Sequence, residues 1–573
     1  MSEDNTIEQF LGLIFNGAVV VMLLLVALNF SVKAAERGFS PHAQSILFDG
    51  AHRIISGQAP YRDFVMPYGP IAFWTQAVFS RMFGLDHFSC IFSAATLNVL
   101  ATLFSVLIMR KLFPNGRFVS YLAGFLTAIW FAPPFGTLWM DHVAFFFSLF
   151  AVTAVLYGLP MEKGGRSSHL LFMLSGSAAF LSFASKQNIG IFMLPLCPML
   201  LVAGFAPNRR SGLAGIGFFA AGLAGAFIAF LVWLLLASSP SAFWEQGIRM
   251  AGRLGAHRLF GDFRGLLGTL LLGRGPAFNR IITSAVTVLS IMILGFYLRI
   301  RRLTGYSPPA LLIPPLVCIY LTLAQRLSIQ TSAVSPENGF PLIGIILATA
   351  AGMLFYLIHS DDSRVKQLID SLKPLTRRDA RAIVLAAVLL SSLYVCISGV
   401  SISLNRDVQD SVTGSLFPQY MTHSKLLSLR WGSPTMVEDT DVTERDLTNI
   451  LTYLTQSRKK FFVFPDFTVF YGLIGVPSSQ PLLYFAPGET YSAGGDRHLD
   501  SLIVERLKEN DVEIVVLEEK SVSDAELILG DLPLLKTFLK ETFIKTGKIG
   551  IFHIYRKPEY GQIPSLLTRN LPA

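Results

Sequence analysis

The chain has 573 residues, of which 52% are hydrophobic and only 15% charged; soluble domains usually carry roughly 25% charge. Apolar runs of about 20 residues recur, the length that crosses ~30 Å of hydrocarbon, so a soluble globular chain is excluded. The formal charge of +9 lies largely between those runs, as the positive-inside rule expects, and requires no nucleic-acid partner.

Taken in order, the residues predict a polytopic α-helical membrane protein of about 11 spans, near 10–31, 88–109, 118–134, 140–158, 168–185, 189–205, 212–237, 278–298, 309–325, 339–358 and 382–403. The first, Phe10 to Phe30, has an acidic flank and no small-residue cleavage site, so it reads as a retained helix rather than a signal peptide. After it comes SILFDGAHRIISGQAPYRDFVMPYGPIAFW (45–74), which reads as a short helix over 41–56, a turn at Gly57–Pro60 and a Pro/Gly bend into an interfacial helix near 71–83. Every second connector is basic: Arg110, Lys111 and Arg117; Lys163 and Arg166; Arg209 and Arg210; Arg299, Arg301 and Arg302; and Arg364 to Arg381. That alternation places them, and the N-terminus, in the cytoplasm. Loops 32–87 and 238–277 and everything after Leu404 are then outside.

Residues 1–404 therefore form a membrane domain, and 405–573 a soluble extracytoplasmic α/β domain. In the latter, KKFFVFP (459–465) and VEIVVLE (512–518) read as buried strands, 500–510 and 523–541 as helices, 546–556 as an edge strand or half-hairpin, and the Pro/Gly-rich 476–495 as a long loop. The four cysteines (Cys90, Cys197, Cys318, Cys396) all lie in apolar segments, which excludes a disulfide framework and zinc spacing. No Walker A pattern or Gly-rich nucleotide fingerprint occurs.

Polar chemistry concentrates in the outer loops. Asp49 is placed as a general base or a solvated helix-flanking carboxylate. Asp63, beside Arg62, reads as a turn residue or ion pair before it reads as catalytic. Arg53 and Arg62 have the fork that suits a phosphate; the alternative is snorkelling to headgroups. Asp141–His142 opens the fourth span, where a carboxylate compensates a helix dipole or converges with Asp49. Lys186 falls in the tight turn SFASKQNIGIF, where a charge is costly; it neutralises a lipid phosphate or reaches the headgroups. Arg249, Arg253, His257 and Arg258 recur at helical spacing, fitting a helix lying on anionic lipid or an anion clamp. Arg326, Gln330, Glu337 and Asn338 are weaker candidates for sugar contacts. The histidines, including His52 and His142, are too scattered for a metal site.

On LFDGAHRIISGQAPYRDF, MPYGPIAFW, WMDHVAFFF and FASKQNIGIFMLP, which reach to about residue 200, the chain resembles the multi-spanning glycosyltransferases of the C superfamily, in the branch of protein O-mannosyltransferases and lipid A aminoarabinose transferases. The resemblance implies a polyprenyl-phosphate-linked sugar donor bound from the bilayer, and an unknown acceptor on the outer face of a bacterial-type inner membrane. Asp49 matches the first-loop acid and is the implied base of an inverting transfer; Asp141 matches the second-loop acid and Lys186 the lysine. Lys186, Arg53, Arg62 and Arg258 would hold the leaving phosphate, and His52, Tyr61, His142 and Glu337 the acceptor or sugar. Gly50 stands where the family often has a second acid. Asp63 or Asp141 must then supply it, and a divalent metal bridging the loop is in doubt. The rival readings are a transporter or flippase, and a membrane scaffold or receptor with an outer ligand-binding domain.

Overall fold

The computed structural model describes residues 3–35, 43–159, 168–205, 209–253, 277–304, 309–331, 340–359, 377–404, 444–465, 467–485, 490–491, 495, 497–518, 528–550 and 552–558. The membrane part begins with α1 (Glu3–Ala35), α2 (Ala43–Ile55), α3 (Ile71–Phe83), α4 (His87–Leu112), α5 (Arg117–Trp130) and α6 (Met140–Gly158). Next come α7 (His169–Phe183), the single turn α8 (Gln187–Gly190), α9 (Met193–Gly204) and α10 (Arg209–Ala237). A short α11 (Pro240–Ala242) leads into a π-helical stretch, Phe243–Met250. Then follow α12 (Ala277–Thr304), α13 (Pro309–Thr331), α14 (Ile343–His359) and α15 (Arg377–Leu404).

Seven helices are long and apolar enough to cross a bilayer, and four shorter apolar helices (Arg117–Trp130, His169–Phe183, Ile281–Gly295 and Ile343–Leu357) fall on other predicted spans. The predicted 189–205 span falls on one stretch long and apolar enough to cross, Gln187–Gly204, within which α8 and α9 join at Ile191–Phe192. Helix α3 has 13 residues, about 20 Å at 1.5 Å per residue, which is too short to cross.

In hydrocarbon, helices associate through close packing and polar bridges rather than the hydrophobic effect. Helices α7 and α10 meet at paired glycines: a Cβ on Gly176 would sit 2.0 Å from Phe219 O, and one on Gly222 would sit 1.9 Å from Met173 O. Asn98 of α4 donates to Ser31 Oγ of α1 (2.8 Å) and to Ala128 O of α5 (2.8 Å). Trp130 Nε1 donates to Val395 O (2.8 Å), tying α5 to α15.

The C-terminal part contains α16 (Glu444–Ser457), β1 (Phe461–Phe464), α17 (Val469–Ile474), α18 (Arg497–Glu509), β2 (Ile514–Glu518), α19 (Pro533–Thr542), β3 (Ile544–Ile549) and β4 (Phe552–Arg556). The sheet order is β1-β2-β4-β3, with β1 and β2 parallel and the other pairs antiparallel. Strands β1 and β2 lie on the two predicted apolar runs, and 546–556 closes as a complete hairpin at the sheet edge. One face of the sheet is not sealed by its own residues: Phe48 of α2 packs into the cluster formed by Phe461, Phe470, Tyr471 and Phe552. Val65 joins the cluster on the other face, with Phe462, Phe464 and Leu482.

Candidate active site at the first-loop face

Helix α2 carries Asp49 and Arg53 one turn apart, the spacing at which side chains meet. Arg53 Nε donates to Asp49 Oδ2 at 2.8 Å, and both side chains are 0% exposed. Three more guanidinium N–H groups bond the C-terminal part: Nη1 to Gln480 O (2.6 Å), and Nη2 to Ser478 Oγ (2.5 Å) and Leu482 O (3.1 Å). Arg53, expected as a phosphate ligand, thus has four of its five N–H donors engaged; it fixes Asp49 and the 478–482 loop to one another. Asp49 Oδ1 is buried with no hydrogen-bond partner among the described residues. Burial pushes the Asp49 carboxyl above its ordinary range, and Arg53 and His52 pull back only part of that rise.

The other first-loop candidates are built into the same docking surface. His52 Nε2 lies 2.8 Å from Val476 O, an acceptor, so this nitrogen carries the proton. Tyr61, held at φ 69°, donates its hydroxyl to Tyr68 O at 2.6 Å and meets the Phe243 ring edge-on at 5.2 Å. Arg62 and Asp63 form a partly exposed ion pair (2.8 Å), and Asp63 also accepts from Ala59 N–H (2.6 Å). Burial acts to raise the Asp63 carboxyl, but these donors hold it below the ordinary range. This is the turn arrangement, and it leaves Arg62 committed to a carboxylate.

The second acid meets the lysine. Asp141 Oδ1 and Lys186 Nζ form an ion pair, with side chains only 4% and 6% exposed. His142 Nδ1 accepts from Trp139 N–H (3.0 Å) and so caps its own helix. Arg258 and Glu337, with His257, lie outside the described residues.

These segments converge on one membrane face because loop one is clasped by each neighbouring connector. Gln44 donates to Phe135 O of the α5–α6 connector (2.5 Å). Ile71 N–H donates to Ala184 O (3.2 Å), two residues before Lys186. Gly69 lies so close to that turn that a Cβ would fall 1.8 Å from Ala184 O. From the 238–277 loop, Gln246 Oε1 accepts from Met66 N–H (3.0 Å), while Gln187 donates to Gly247 O (2.6 Å). On the far side, Val65 N–H donates to Pro481 O (2.7 Å) and the Tyr68 and Tyr484 hydroxyls meet at 2.9 Å. Sequence reasoning did not single out Gln44, Phe48, Gln246 or the 478–482 carbonyls. Only the Pro/Gly-rich composition of 476–495 marked that loop, and nothing in it named its partner.

Among the described residues no group of three or more His, Cys, Asp or Glu side chains is arranged to hold a metal ion. Asp49 and Asp141 each face a cation, so the donor set does not fit a bound divalent ion.

No family model matches the chain, and no curated protein matches it in sequence. Solved structures do match. ArnT from Cupriavidus metallidurans in the apo state superposes with a TM-score of 0.52 at 14% identity, covering 94% of this chain and 97% of that one. The same protein bound to undecaprenyl phosphate gives 0.50 at 15% identity, covering 94% and 98%. The chain shares the fold of ArnT. A further likeness of this kind is to the archaeal oligosaccharyltransferase AglB from Archaeoglobus fulgidus in complex with an inhibitory peptide and a dolichol-phosphate (TM-score 0.46, 13% identity, 95% of this chain and 75% of that one). The match to ArnT spans nearly all of both chains.

Proposed function

We propose that this protein transfers a sugar from a polyprenyl-phosphate-linked donor to an acceptor at the membrane face that carries loop one, with Asp49 as base. The observation that carries the reading is the convergence of the first, second and third outer connectors, which sets Asp49 and the Asp141–Lys186 pair on the same face. A transporter reading would place its charges along a mid-membrane path, whereas these charges line a surface junction.

The step is a displacement with inversion. An acceptor hydroxyl or amine attacks the anomeric carbon; the bond from that carbon to the phosphate oxygen breaks, and its electron pair leaves with the polyprenyl phosphate. The acceptor's proton passes to Asp49 Oδ1, the carboxylate oxygen that Arg53 does not occupy. A carboxylate made more basic by burial is a better proton acceptor than an exposed one, provided it is ionised, and the Arg53 guanidinium favours the ionised form against that burial. Lys186 is the cation nearest the reacting phosphate in this scheme, and its pairing with Asp141 orients it. The sugar, the acceptor, the inner-membrane location and the outward orientation of this face belong to the same proposal.

The test is transfer from a panel of radiolabelled polyprenyl-phosphate sugars by protein in lipid vesicles, wild type beside Asp49→Asn. Asparagine keeps an oxygen for Arg53 and so preserves the docking. Turnover of one donor, lost in an Asn variant with an unchanged thermal midpoint, supports the reading. Turnover retained in that variant removes Asp49 as base.

A further inference from the structure

Among the described residues, one buried cation of the membrane part has no carboxylate beside it. Arg53 is neutralised by Asp49, Arg62 by Asp63 and Lys186 by Asp141. Arg326, near the end of α13, is only 2% exposed. Its guanidinium donates through Nη2 to two hydroxyls of α12, Thr283 Oγ1 (3.0 Å) and Ser284 Oγ (2.7 Å). Neither is charged, and Nε is buried with no partner among the described residues. Gln325 in the same turn uses its Oε1 to accept from Leu342 N–H (2.8 Å), and its Nε2 has no partner among the described residues. Thr322, whose hydroxyl pairs with the Cys318 thiol, lies one turn before Arg326. Both residues are 0% exposed. Residues 322, 325 and 326 lie within one helical turn at i, i+3, i+4.

A buried cation beside lipid is expensive unless a negative charge meets it, and unmet buried donors cost further. The dipoles of two hydroxyls and a buried amide suit an anion with several acceptor oxygens. Helix α13 packs against α8 and α9, and α8 begins directly after Lys186. An anion reaching it within the hydrocarbon boundary must be carried on an apolar chain, because an ion free in water would have to shed its hydration.

We infer that Arg326, with Gln325 and the Thr283–Ser284 hydroxyls, is a binding seat for a phosphate group carried on a lipid. The inference names a residue for the ligand class of the proposed function, and its test needs no sugar transfer. It moves the phosphate-binding role away from Arg53 and Arg62, which are committed to carboxylates.

The experiment is native mass spectrometry of the full chain released from detergent, titrated separately with farnesyl phosphate, phosphatidylglycerol and uncharged farnesol. Wild type, Arg326→Gln, Arg326→Lys and, as a distant control, Lys459→Gln are compared. The expected result is that wild type and Lys459→Gln bind at least one phosphate-bearing lipid more tightly than farnesol. Arg326→Gln should lose about tenfold to a hundredfold of that affinity, the range of a charge-assisted hydrogen bond, and Arg326→Lys should keep part of it. The farnesyl phosphate and phosphatidylglycerol arms identify which lipid supplies the phosphate. Ligand-free thermal melts give a second readout: removing an uncompensated buried charge should leave the Arg326→Gln midpoint unchanged or higher, whereas an arginine with a purely structural role would lower it. Equal phosphate-lipid affinity in wild type and folded Arg326→Gln overturns the seat, even if sugar transfer is found. Arg326-dependent binding without transfer of any sugar upholds the seat and counts against the proposed function alone.

Discussion

Arg53 and Lys186 both read from the sequence as phosphate ligands, and the structure gives them different surroundings. Arg53 ends among three carbonyl or hydroxyl oxygens and a carboxylate, Lys186 against a carboxylate at a helix start. The difference lies in what is brought to each from far along the chain, and one-dimensional spacing does not report it. The i, i+4 spacing of Asp49 and Arg53, by contrast, is readable in advance. Arg53 lowers the Asp49 carboxyl against the rise that burial imposes, so removing the guanidinium should raise it further. Because the base acts when ionised, Arg53→Gln should move the acid limb of the pH–rate profile to higher pH, which a profile beside wild type would measure. The same sign applies to stability: the folded carboxyl lies above its ordinary 3.8, so its contribution is full below that value and fades as pH rises through the folded one. The buried Asp141–Lys186 pair makes a second prediction. Asp141→Asn or Lys186→Met alone should cost about 3–5 kcal/mol, because each strands the partner's charge. The double variant should recover much of that loss, as chemical denaturation in a double-mutant cycle would show.

At the scale of elements, the spans were the most legible part, since twenty apolar residues announce themselves by composition. Helix α2 was readable too, from the break at Gly57–Pro60. What composition did not reveal is where the chain folds back on itself. The turn from α7 into the 189–205 run brings Gly190 so near the end of α7 that a Cβ on it would lie 2.0 Å from Phe183 N. Gly69 is the matching device in loop one. Gly69→Ala would drive its Cβ into the Ala184 carbonyl, a backbone atom that has no rotamer to yield. The expected cost is about 1–3 kcal/mol, read as a lower thermal midpoint. Faster protease cleavage between 57 and 70 should accompany it, since the bend loses its seat beside Lys186.

Across the whole molecule, the two predicted domains share a core, and this had no local signal. The strands at 461–464 and 514–518 were visible as apolar runs, but the residue that completes their packing, Phe48, precedes them by some four hundred positions. Phe48→Ala should cost about 3–5 kcal/mol. Hydrogen exchange should then show protection falling together in α2 and in β1–β2; an independently folded sheet would keep its protection. Ser478→Ala removes one Arg53 contact without touching α2 and should loosen the junction by about 0.5–1.5 kcal/mol, seen as faster exchange across 476–484.

The Arg53–Gln480 bond joins residues 427 positions apart, and this bears on how the protein is made. At ~5–20 residues per second of synthesis, loop one waits about 20–90 s for the segment that finishes it, with Phe48 and the Asp49–Arg53 pair unsheltered meanwhile. A chain ended before residue 478 would insert its helices and still lack the partners that hold Arg53, and through it Asp49, in place.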